Sequence, residues 1–511
     1  MRSASATDVA FPVTTTRTWQ TRRLLARAWQ VLLALDVPEA ERLATRLEHQ
    51  SASVAGTEGL DYATAVLRAA VLVVRDDSMA ALVLARRAYQ PCPDAECRAL
   101  AAIICRWAHW RTGELTEFHS MGRGQWRAGL RRCRAITTIF DVSLEAAVEF
   151  GRLRLAVART LATEALERAR STGCSETAAG LLSAALVAQV AYEQGQLDDA
   201  DVVIRYRMSV VRTSATVECA TRAYIVMARL AIQRQRPDHA LTLLRDGQAL
   251  GERRRWPRLI AAMLAERIRI LLEGMDENDE SGALSCLREL EALLRSHPTA
   301  SASAHADIEL DCQLAQVRFG QRHVAAEQTA SAVDGLRQKA LARSDLRLAL
   351  EMHLISVAAY AQHGEVLEAQ ERLIDALDIG AAHGLCMTFI DTSPVVRKLL
   401  EDLCLSTSMT DERVLELRPY LHTLLVRCPR QRQPAGLGRQ PREGICQPLT
   451  PRENNVLRLI ASGLSNKRIA QRLDITPETV KSHTKSIFAK LAAQTRAQAV
   501  AHGEALGLIQ S

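Results

Sequence analysis

A stripe of polar side chains that includes two lysines recurs at helical spacing near the carboxyl end of this 511-residue chain. Within residues 477–491 the stripe takes positions i, i+3, i+4 and i+7, and apolar residues fill a second face. Lysine and serine side chains on one helix face can donate hydrogen bonds to phosphates and to base edges in the major groove of DNA. An ordinary solvated helix face carries the same residue types, so the neighbouring helices must show whether this face contacts DNA or only solvent. The stripe consists of Glu478, Lys481, Ser482 and Lys485, and the apolar face of Val480, Ile487 and Leu491.

Hydroxyl residues mark four helix starts between positions 449 and 511, and the stripe lies on the third helix. Each hydroxyl can accept a hydrogen bond from the first free backbone amides of a helix, and a proline follows two of them at the first helical position. Gly463 is suited to end the first helix, because glycine adopts a left-handed conformation at little cost. Residues 466–491 therefore read as a helix, a tight turn and a second helix, which favours a DNA-reading element over a solvated helix. The starts are Thr450 with Pro451 and Glu453, Ser465, Thr476 with Pro477, and Thr495 with Gln498.

This segment closely resembles the LuxR-type helix-turn-helix domain. The family pattern runs L-T-x-R-E, S-N-K-x-I-A, T-V-K-x-H and K-L, and the match covers the whole domain. Two positions depart from it: Arg468 replaces an acidic residue, and Ser486 replaces an asparagine. The resemblance implies a four-helix DNA-binding domain at residues 449–511. The pattern is carried here by Leu449, Thr450, Arg452, Glu453, Ser465, Asn466, Lys467, Ile469, Ala470, Thr479, Val480, Lys481, His483, Lys490 and Leu491.

The resemblance also implies a role for individual side chains. Lys481, Ser482 and Lys485 would contact bases. Double-stranded DNA and RNA polymerase are the implied partners, and the fourth helix, Thr495 to Leu506, would pair two copies into a homodimer. Since no cysteine or second histidine stands at ligand spacing from His483, we expect no metal there. The side chains implied to contact phosphates are Asn466, Lys467, Thr476, Thr479 and His483.

Positive charge is concentrated in the last sixth of the chain. Residues 449–511 contain nine Lys or Arg against four Asp or Glu, and residues 427–448 contain five Arg against one Glu. Since the whole chain carries a formal charge of +7, residues 1–426 sum to −2. A basic end on a nearly neutral body is typical of polyanion binding, although a basic linker alone could be a solubility feature.

The composition of residues 427–448 predicts a mobile tether. Four prolines and three glycines interrupt this basic segment, and it has no apolar periodicity. The Ser/Thr-rich residues 1–17 predict a disordered tail. These boundaries leave residues 18–426 as one large body.

The body reads as all-helical and repetitive. Alanine, leucine and arginine dominate it, and four hundred residues exceed the size of one compact core. Turn-like segments recur with their sixth residue at positions 40, 80, 118, 156, 200, 240, 283, 325 and 369, a spacing of 38 to 44 residues. Such spacing is typical of two-helix repeats. The sequence therefore predicts a TPR-like superhelix with a concave wall, with a plain helical bundle as the alternative.

The end of the repeats carries a second, looser resemblance, to the sensor region of the large maltose-regulator (MalT-like) LuxR proteins. It rests on HGLCMTFIDTSPVVRKLLEDL, with Phe389 and Asp391 followed by Pro394 and the pair Leu399-Leu400. The resemblance implies that the superhelix responds to an effector or a protein. Such proteins also have an amino-terminal ATPase domain, but this chain contains no G-x-x-x-x-G-K-[ST] loop, so we expect no ATP-driven switching in it.

Other kinds of chemistry find little support in the sequence. Its twelve cysteines include no C-x-x-C pair, which argues against a zinc site or a disulfide framework, and Cys92 with Cys97 is a weak redox-pair alternative. We find no catalytic motif and no cofactor site. Without an apolar run of 18 residues or a signal-peptide core, the chain is expected to be cytoplasmic and to bind no membrane.

These observations predict an all-α transcriptional regulator whose repeat body senses a ligand or protein and controls the carboxyl-terminal domain. The alternative is a protein-interaction scaffold in which the repeats grip a partner and the DNA-binding domain is auxiliary. An enzyme is the least favoured class.

Overall fold

The computed structural model describes most of the chain as α-helix. The predicted tail at 1–17, Gly463, nearly all of the predicted tether at 427–448 and most of the predicted fourth helix lie outside the described residues. The described residues form two compact units, one within 1–428 and the other within 429–511. The described ranges are 19–52, 58–89, 92–121, 131–273, 277–297, 302–321, 324–405, 412–427, 451–462, 464–473, 476–490, 495–496 and 499–500.

The first unit contains nine helix pairs within its described residues, followed by three further helices. They are α1 (Trp19–Leu33) and α2 (Val37–Ala52), α3 (Glu58–Val74) and α4 (Ser78–Tyr89), α5 (Ala95–Thr112) and α6 (Leu115–Ser120), α7 (Arg131–Gly151) and α8 (Leu155–Ser171), α9 (Ala178–Glu193) and α10 (Leu197–Arg205), with the short α11 (Met208–Ser214), then α12 (Val217–Gln233) and α13 (Pro237–Arg254), α14 (Pro257–Glu273) and α15 (Glu277–Ser296), α16 (Ala302–Gly320) and α17 (Ala326–Ala342), α18 (Leu346–Gln362) and α19 (Val366–His383), and finally α20 (Met387–Thr392), α21 (Pro394–Leu405) and α22 (Glu412–Arg427).

A buried residue near the start of the second helix gives the repeats their register. In seven of the nine described pairs the fourth residue of that helix is fully buried, and in six of these seven it is alanine, which lets the two helices approach closely. The predicted anchors coincide with this residue at positions 40, 118, 200, 240 and 369, whereas the buried alanine lies at 81 rather than 80 and at 158 rather than 156. The helical-repeat prediction is confirmed, with these shifts in register. The fully buried set is Ala40, Ala81, Phe118, Ala158, Ala200, Ala240 and Ala369; the predicted anchor at 283 is instead the seventh residue of α15, and the one at 325 precedes α17.

A left-handed residue closes the turn inside seven of the described pairs, always five positions before the fourth residue of the second helix. Only three of these seven residues are glycines, although glycine adopts this conformation most cheaply. The sequence therefore marks these turns less clearly than the backbone conformation does. The seven residues are Leu35, Asp76, Gly113, Leu153, Gly195, Gln235 and Gly364.

Repeats that are distant in the sequence touch one another. Trp256 Nε1 donates a hydrogen bond to the Val74 carbonyl at 2.8 Å, and the Ser78 hydroxyl contacts that of Ser303. Arg258 pairs with Asp76 through two hydrogen bonds of 2.8 Å. The second pair thus contacts the seventh and eighth pairs, and the contact of Asp76 with Arg258 is a buried ion pair.

The segment singled out by the sequence packs back onto the repeats. Asp391, in α20, accepts hydrogen bonds from the Tyr192 hydroxyl at 2.8 Å and from Gln233 Nε2 at 3.0 Å. The Cys386 amide donates to the Glu193 carbonyl at 3.0 Å. Burial raises the pKa of Asp391, and Arg229 opposes that rise. The short α20 is therefore attached to α9 and α12 through polar groups.

Eight of the nine cysteines whose side chains the structure describes are buried, and Cys404 is half-buried. Cys92 and Cys97 are close enough for a thiol-to-thiol hydrogen bond, which lowers the pKa of Cys92 to about 7. All nine are free thiols, as expected of small core residues. In the described part of the chain, no helix is both long and apolar enough to cross a bilayer.

The second unit contains α23 (Pro451–Ala461), α24 (Asn466–Leu473) and α25 (Pro477–Lys490). Its core is small and entirely apolar, and it includes Ala499 from the predicted fourth helix. The order of helix, turn and helix predicted for residues 466–491 is confirmed over the described residues. The core residues are Val456, Leu457, Ile460, Ile469, Ala470, Val480, Ile487 and Ala499.

Candidate nucleic-acid interface

Helix α25 begins with the hydroxyl cap that the sequence predicted. Thr476 Oγ1 accepts a hydrogen bond from the Thr479 amide at 3.2 Å, and the two threonine hydroxyls lie 2.8 Å apart. Pro477 takes the first helical position, where a missing amide costs nothing. The cap sets where the helix starts and therefore which side chains fall in its first two turns.

Burial of one side of α25 determines which side faces solvent. Val480 and Ile487 are both fully buried, and they pack with Ile469 and Ala470 of α24. The third predicted core residue, Leu491, lies outside the described residues. Because the helix is held on this side, its opposite side has one fixed orientation relative to α24.

The predicted base-contacting residues lie on that opposite side. Lys481, Ser482 and Lys485 are all exposed, as is Glu478. Lys481 Nζ lies 3.1 Å from Glu478 Oε2, and the two side chains are 63% and 80% exposed. An ion pair this exposed contributes little to stability, so a phosphate or a base edge can replace the carboxylate at small cost.

The predicted phosphate-contacting residues come from the starts of two helices. Lys467, in the first turn of α24, is exposed, and so are Thr476 and Thr479 at the start of α25. Asn466 and His483 are half-buried. Thr479 and His483 stand four residues apart, so they flank the exposed stripe on one side of α25. Polar side chains thus lie at the starts of both helices, in addition to those of the stripe.

Arg496 is a residue of this region that sequence reasoning missed. Its guanidinium lies 3.5 Å from Asn466 Oδ1 and donates to the Ile460 carbonyl at 3.4 Å and to the Leu464 carbonyl. It therefore connects the end of α23 to the start of α24. With its oxygen accepting from Arg496, Asn466 presents its amide nitrogen as the donor. The sequence signal was a single arginine beside the predicted cap at Thr495.

The serine that departs from the family pattern has a defined partner. Ser486 Oγ donates a hydrogen bond of 2.6 Å to Glu453 Oε1, and Glu453 is only 4% exposed. Glu453 was predicted to cap α23, and Thr450, the other half of that capping box, lies outside the described residues. The contact joins α23 to α25, which carries the stripe.

Arg468, the other departure, lies in the open. It is exposed on α24, as is Arg472 four residues later. Residues four apart share one helix face. The replacement of an acidic residue by arginine therefore adds positive charge to the surface without entering the core.

Sequence profiles of two families match the chain. The profile described as MalT-like TPR region matches residues 63–405, and that described as bacterial regulatory proteins, luxR family, matches residues 447–502. The first covers more than half of the chain. Neither description is that of a catalytic domain.

Curated relatives match the same two regions. The nitrate/nitrite response regulator NarL of Escherichia coli K12 is 55% identical over 51 residues, which are 10% of this chain and 24% of the relative. The HTH-type transcriptional regulator AlkS of Alcanivorax borkumensis is 26% identical over 367 residues, which are 70% of this chain and 39% of the relative. The HTH-type transcriptional regulator MalT of Klebsiella pneumoniae is 46% identical over 59 residues, or 12% and 6%. The match spans less than two fifths of each of these relatives.

A solved structure resembles the repeat region. The crystal structure of a Rap protein complexed with competence and sporulation factor superimposes with a TM-score of 0.54 at 10% identity. The alignment covers 71% of this chain and 98% of the Rap chain, which supports a TPR-like fold for the repeats. Taken with the two profile matches, the helix pairs and the capped helix-turn-helix show that this chain belongs to the LuxR family of bacterial transcriptional regulators with a MalT-like TPR region.

Proposed function

We propose that the chain binds double-stranded DNA by placing α25 in the major groove, where Lys481, Ser482 and Lys485 contact base edges. The observation that carries the proposal is the division of α25 into a buried apolar side and an exposed polar side. A recognition helix needs both, because the buried side fixes the angle at which the exposed side meets the groove. Lysine suits this role since it donates to the N7 and O6 acceptors of guanine.

The polar groups around α25 hold the phosphates in this proposal. Lys467, Thr476 and Thr479 are exposed, and the half-buried Asn466 and His483 complete the set. Contacts of this kind fix the register of a protein on DNA without reading sequence. Exposed Arg468 adds attraction that does not depend on sequence and that weakens as salt rises.

In this proposal two copies of the chain bind one DNA site together. A single domain of this size buries too little surface for tight specific binding, whereas a pair reads two half-sites about one helical turn apart. We assign the pairing to the fourth helix, Thr495 to Leu506, and the protein partner of the DNA-bound form to RNA polymerase. Both assignments rest on the family resemblance.

The repeat body acts as the sensor in this account. An effector or a protein that binds the superhelix would change the contacts between distant repeats, such as that of Asp76 with Arg258. A ligand shifts such an equilibrium only when it binds the two arrangements with different affinity. The effect on DNA binding follows if one arrangement favours pairing of the DNA-binding domains.

Selection of duplexes from a random pool with the full chain tests the proposed function. We expect a preferred sequence, and Lys481→Ala should relax preference at one position of it at a cost of about 1–3 kcal/mol. A uniform loss across all sequences, with a salt slope lower by about one, would place Lys481 on a phosphate instead. Failure to enrich any sequence would favour the scaffold function.

A further inference from the structure

Many arginines of the repeat body are buried or half-buried, and in eight of those described the guanidinium lies within ion-pair distance of a carboxylate. Arg106 pairs with Asp141 at 3.2 Å and Arg229 with Glu266 at 2.8 Å. Arginine is the residue best suited to such sites, because its planar fork satisfies both carboxylate oxygens. The eight are Arg106, Arg111, Arg229, Arg258, Arg269, Arg318, Arg343 and Arg347.

Arg222, on α12, has no such carboxylate partner. Among the described residues, no carboxylate lies within ion-pair distance of its guanidinium. Its Nη1 donates to Gln189 Oε1, a neutral acceptor, and its Nε is buried with no described hydrogen-bond acceptor. The side chain is half-buried, so part of the guanidinium remains accessible.

The carboxylates that influence Arg222 are engaged elsewhere. Glu218, one helical turn away, accepts from Arg258 at 2.5 Å and pairs with Arg111 at 3.2 Å. Asp345 caps α18 by accepting from the Leu348 amide at 3.0 Å. Both carboxylates are therefore held by other partners.

The directions of the pKa shifts agree with the lack of a carboxylate partner for Arg222. Burial lowers the pKa of Arg222, with only partial compensation from Glu218. Burial acts on Arg258 in the same direction, but Asp76 and Glu218 outweigh it and hold the pKa of Arg258 well above its usual value. Burial therefore destabilises the charged form of Arg222, whereas carboxylates offset the same effect at Arg258.

An aromatic ring stands beside the unpaired guanidinium. The Trp110 ring centroid lies 5.9 Å from Arg222 Cζ and 5.8 Å from Arg111 Cζ, and Trp110 is half-buried, as is Gln189. The three side chains Arg222, Gln189 and Trp110 thus offer a charged donor, an amide and an apolar surface together. These three types of group can together bind an organic anion.

We propose that Arg222, with Gln189 and Trp110, anchors an anionic group of the effector, either a carboxylate or a phosphate. The inference rests on the proposed sensing role of the repeat body. A buried arginine without a partner costs stability, and a bound anion would supply the missing counter-charge through two parallel hydrogen bonds. The ligand would then stabilise the body by mass action.

The test measures unfolding of the body in the full chain, with sodium phosphate and sodium glutarate as probes against sodium chloride at equal ionic strength. All six tryptophans lie between residues 19 and 256, so tryptophan fluorescence reports the body and not the basic carboxyl-terminal unit. We expect at least one probe to raise the unfolding midpoint by about 1–3 °C over chloride. A response to phosphate alone identifies a phosphoryl ligand, and one to glutarate alone identifies a carboxylic acid.

Variants of Arg222 decide whether this residue is responsible. Arg222→Met should abolish the rise, and Arg222→Lys, which keeps the charge but loses the fork, should retain part of it. The matched control is Arg159→Met, an exposed arginine on α8, which should respond as the wild type does. If Arg222→Met does not fold, Arg222→Lys alone tests the site. An unfolding midpoint that rises in Arg222→Lys as much as in the wild type would show that the guanidinium does not bind the anion.

Two outcomes would overturn the site. One is a wild-type protein that responds to neither probe, and the other is a rise that persists unchanged in the Arg222 variants. Selective DNA binding that depends on Lys481 is measured separately. Loss of the anion response with DNA selectivity intact would remove this inference alone, whereas the reverse result would remove the DNA proposal.

Discussion

Lys481 Nζ lies 3.1 Å from Glu478 Oε2, one helical turn apart on the exposed side of α25. The proposed base-reading lysine therefore forms an ion pair with a carboxylate that would face the phosphates in a DNA complex. Coulomb attraction between two groups this exposed is weak and is screened by salt. We therefore expect the carboxylate to affect DNA affinity more than folding.

Replacement of that carboxylate should strengthen DNA binding. We expect Glu478→Gln to raise affinity about 3- to 10-fold at low salt, because it removes a negative charge near the duplex and releases Lys481. The gain should shrink as salt rises, which a fluorescence-anisotropy titration at several salt concentrations would measure. Glu164→Gln is the matched control, since Glu164 forms a similar exposed pair with Arg168 at 3.2 Å on α8. An affinity unchanged or lowered by Glu478→Gln would contradict the placement of this face on DNA.

The contact of Ser486 with Glu453 should stabilise the second unit. Ser486→Ala removes a 2.6 Å donor from a carboxylate that is 4% exposed, and we expect a loss of about 1–2 kcal/mol. Hydrogen exchange of the α23 and α25 amides in the full chain would then speed up about 5- to 30-fold. Ser462→Ala is the control, because Ser462 is exposed and bonds only within its own helix end. Equal exchange in the wild type and Ser486→Ala would mean that the contact contributes nothing.

The ion pair of Asp76 with Arg258 should hold distant repeats together. Asp76→Asn keeps a residue type that tolerates the left-handed conformation at φ 66° and removes only the charge, leaving Arg258 less compensated in the interior. We expect a loss of about 2–4 kcal/mol in denaturant unfolding followed by tryptophan fluorescence, since Trp256 lies beside the pair. Asp61→Asn, on the exposed side of α3, should change stability by less than about 0.5 kcal/mol. A loss no larger than that of Asp61→Asn would show that the repeats are held by other contacts.

Stability of the body should depend on pH through Asp311. Burial and then Asp307 raise the pKa of Asp311 to about 7, against opposing effects of Arg258 and Arg343. Since the folded state holds this proton more tightly than the unfolded state does, stability from Asp311 falls as pH rises from about 4 to about 7. Asp311→Asn should therefore match the wild type near pH 4 and exceed it above pH 7. We expect a gain of about 1–3 kcal/mol there, because solvent reaches part of the side chain and reduces the full effect.

Denaturant unfolding of both proteins between pH 4 and pH 8 would measure that difference. Asp334→Asn serves as the control, since Asp334 is 47% exposed beside Arg337. A stability difference that stays constant across this range would show that Asp311 does not titrate there.

The second unit could be predicted from sequence because its signals are local. Thr476 and Pro477 stand beside the helix they start, and the buried and exposed sides of α25 follow from a period of 3.6 residues. Arg496 could not be foreseen, because its three acceptors belong to α23, α24 and the turn between them. A side chain that joins elements distant in sequence leaves no periodic signal.

The repeats show the same limit on a larger scale. Their spacing was predictable, yet the register was wrong at 80 and 156, where Ala81 and Ala158 are the buried residues. Turns closed by Leu35 and Leu153 rather than by glycine hide the turn in the sequence. The contact of Asp76 with Arg258 spans 182 residues, and how tightly a superhelix winds depends on small rotations summed over many repeats.

The most direct test of DNA recognition by α25 compares two lysines in one titration. Wild type, Lys485→Ala and Lys398→Ala, the last on the exposed side of α21, would be titrated with a selected duplex and with a scrambled duplex of equal length. We expect Lys485→Ala to weaken binding to the selected duplex by about 5- to 150-fold and to reduce the difference in affinity between the two duplexes. Lys398→Ala should change neither the affinity nor that difference. Equal affinities of wild type and Lys485→Ala for the selected duplex would show that α25 does not read the DNA sequence through Lys485.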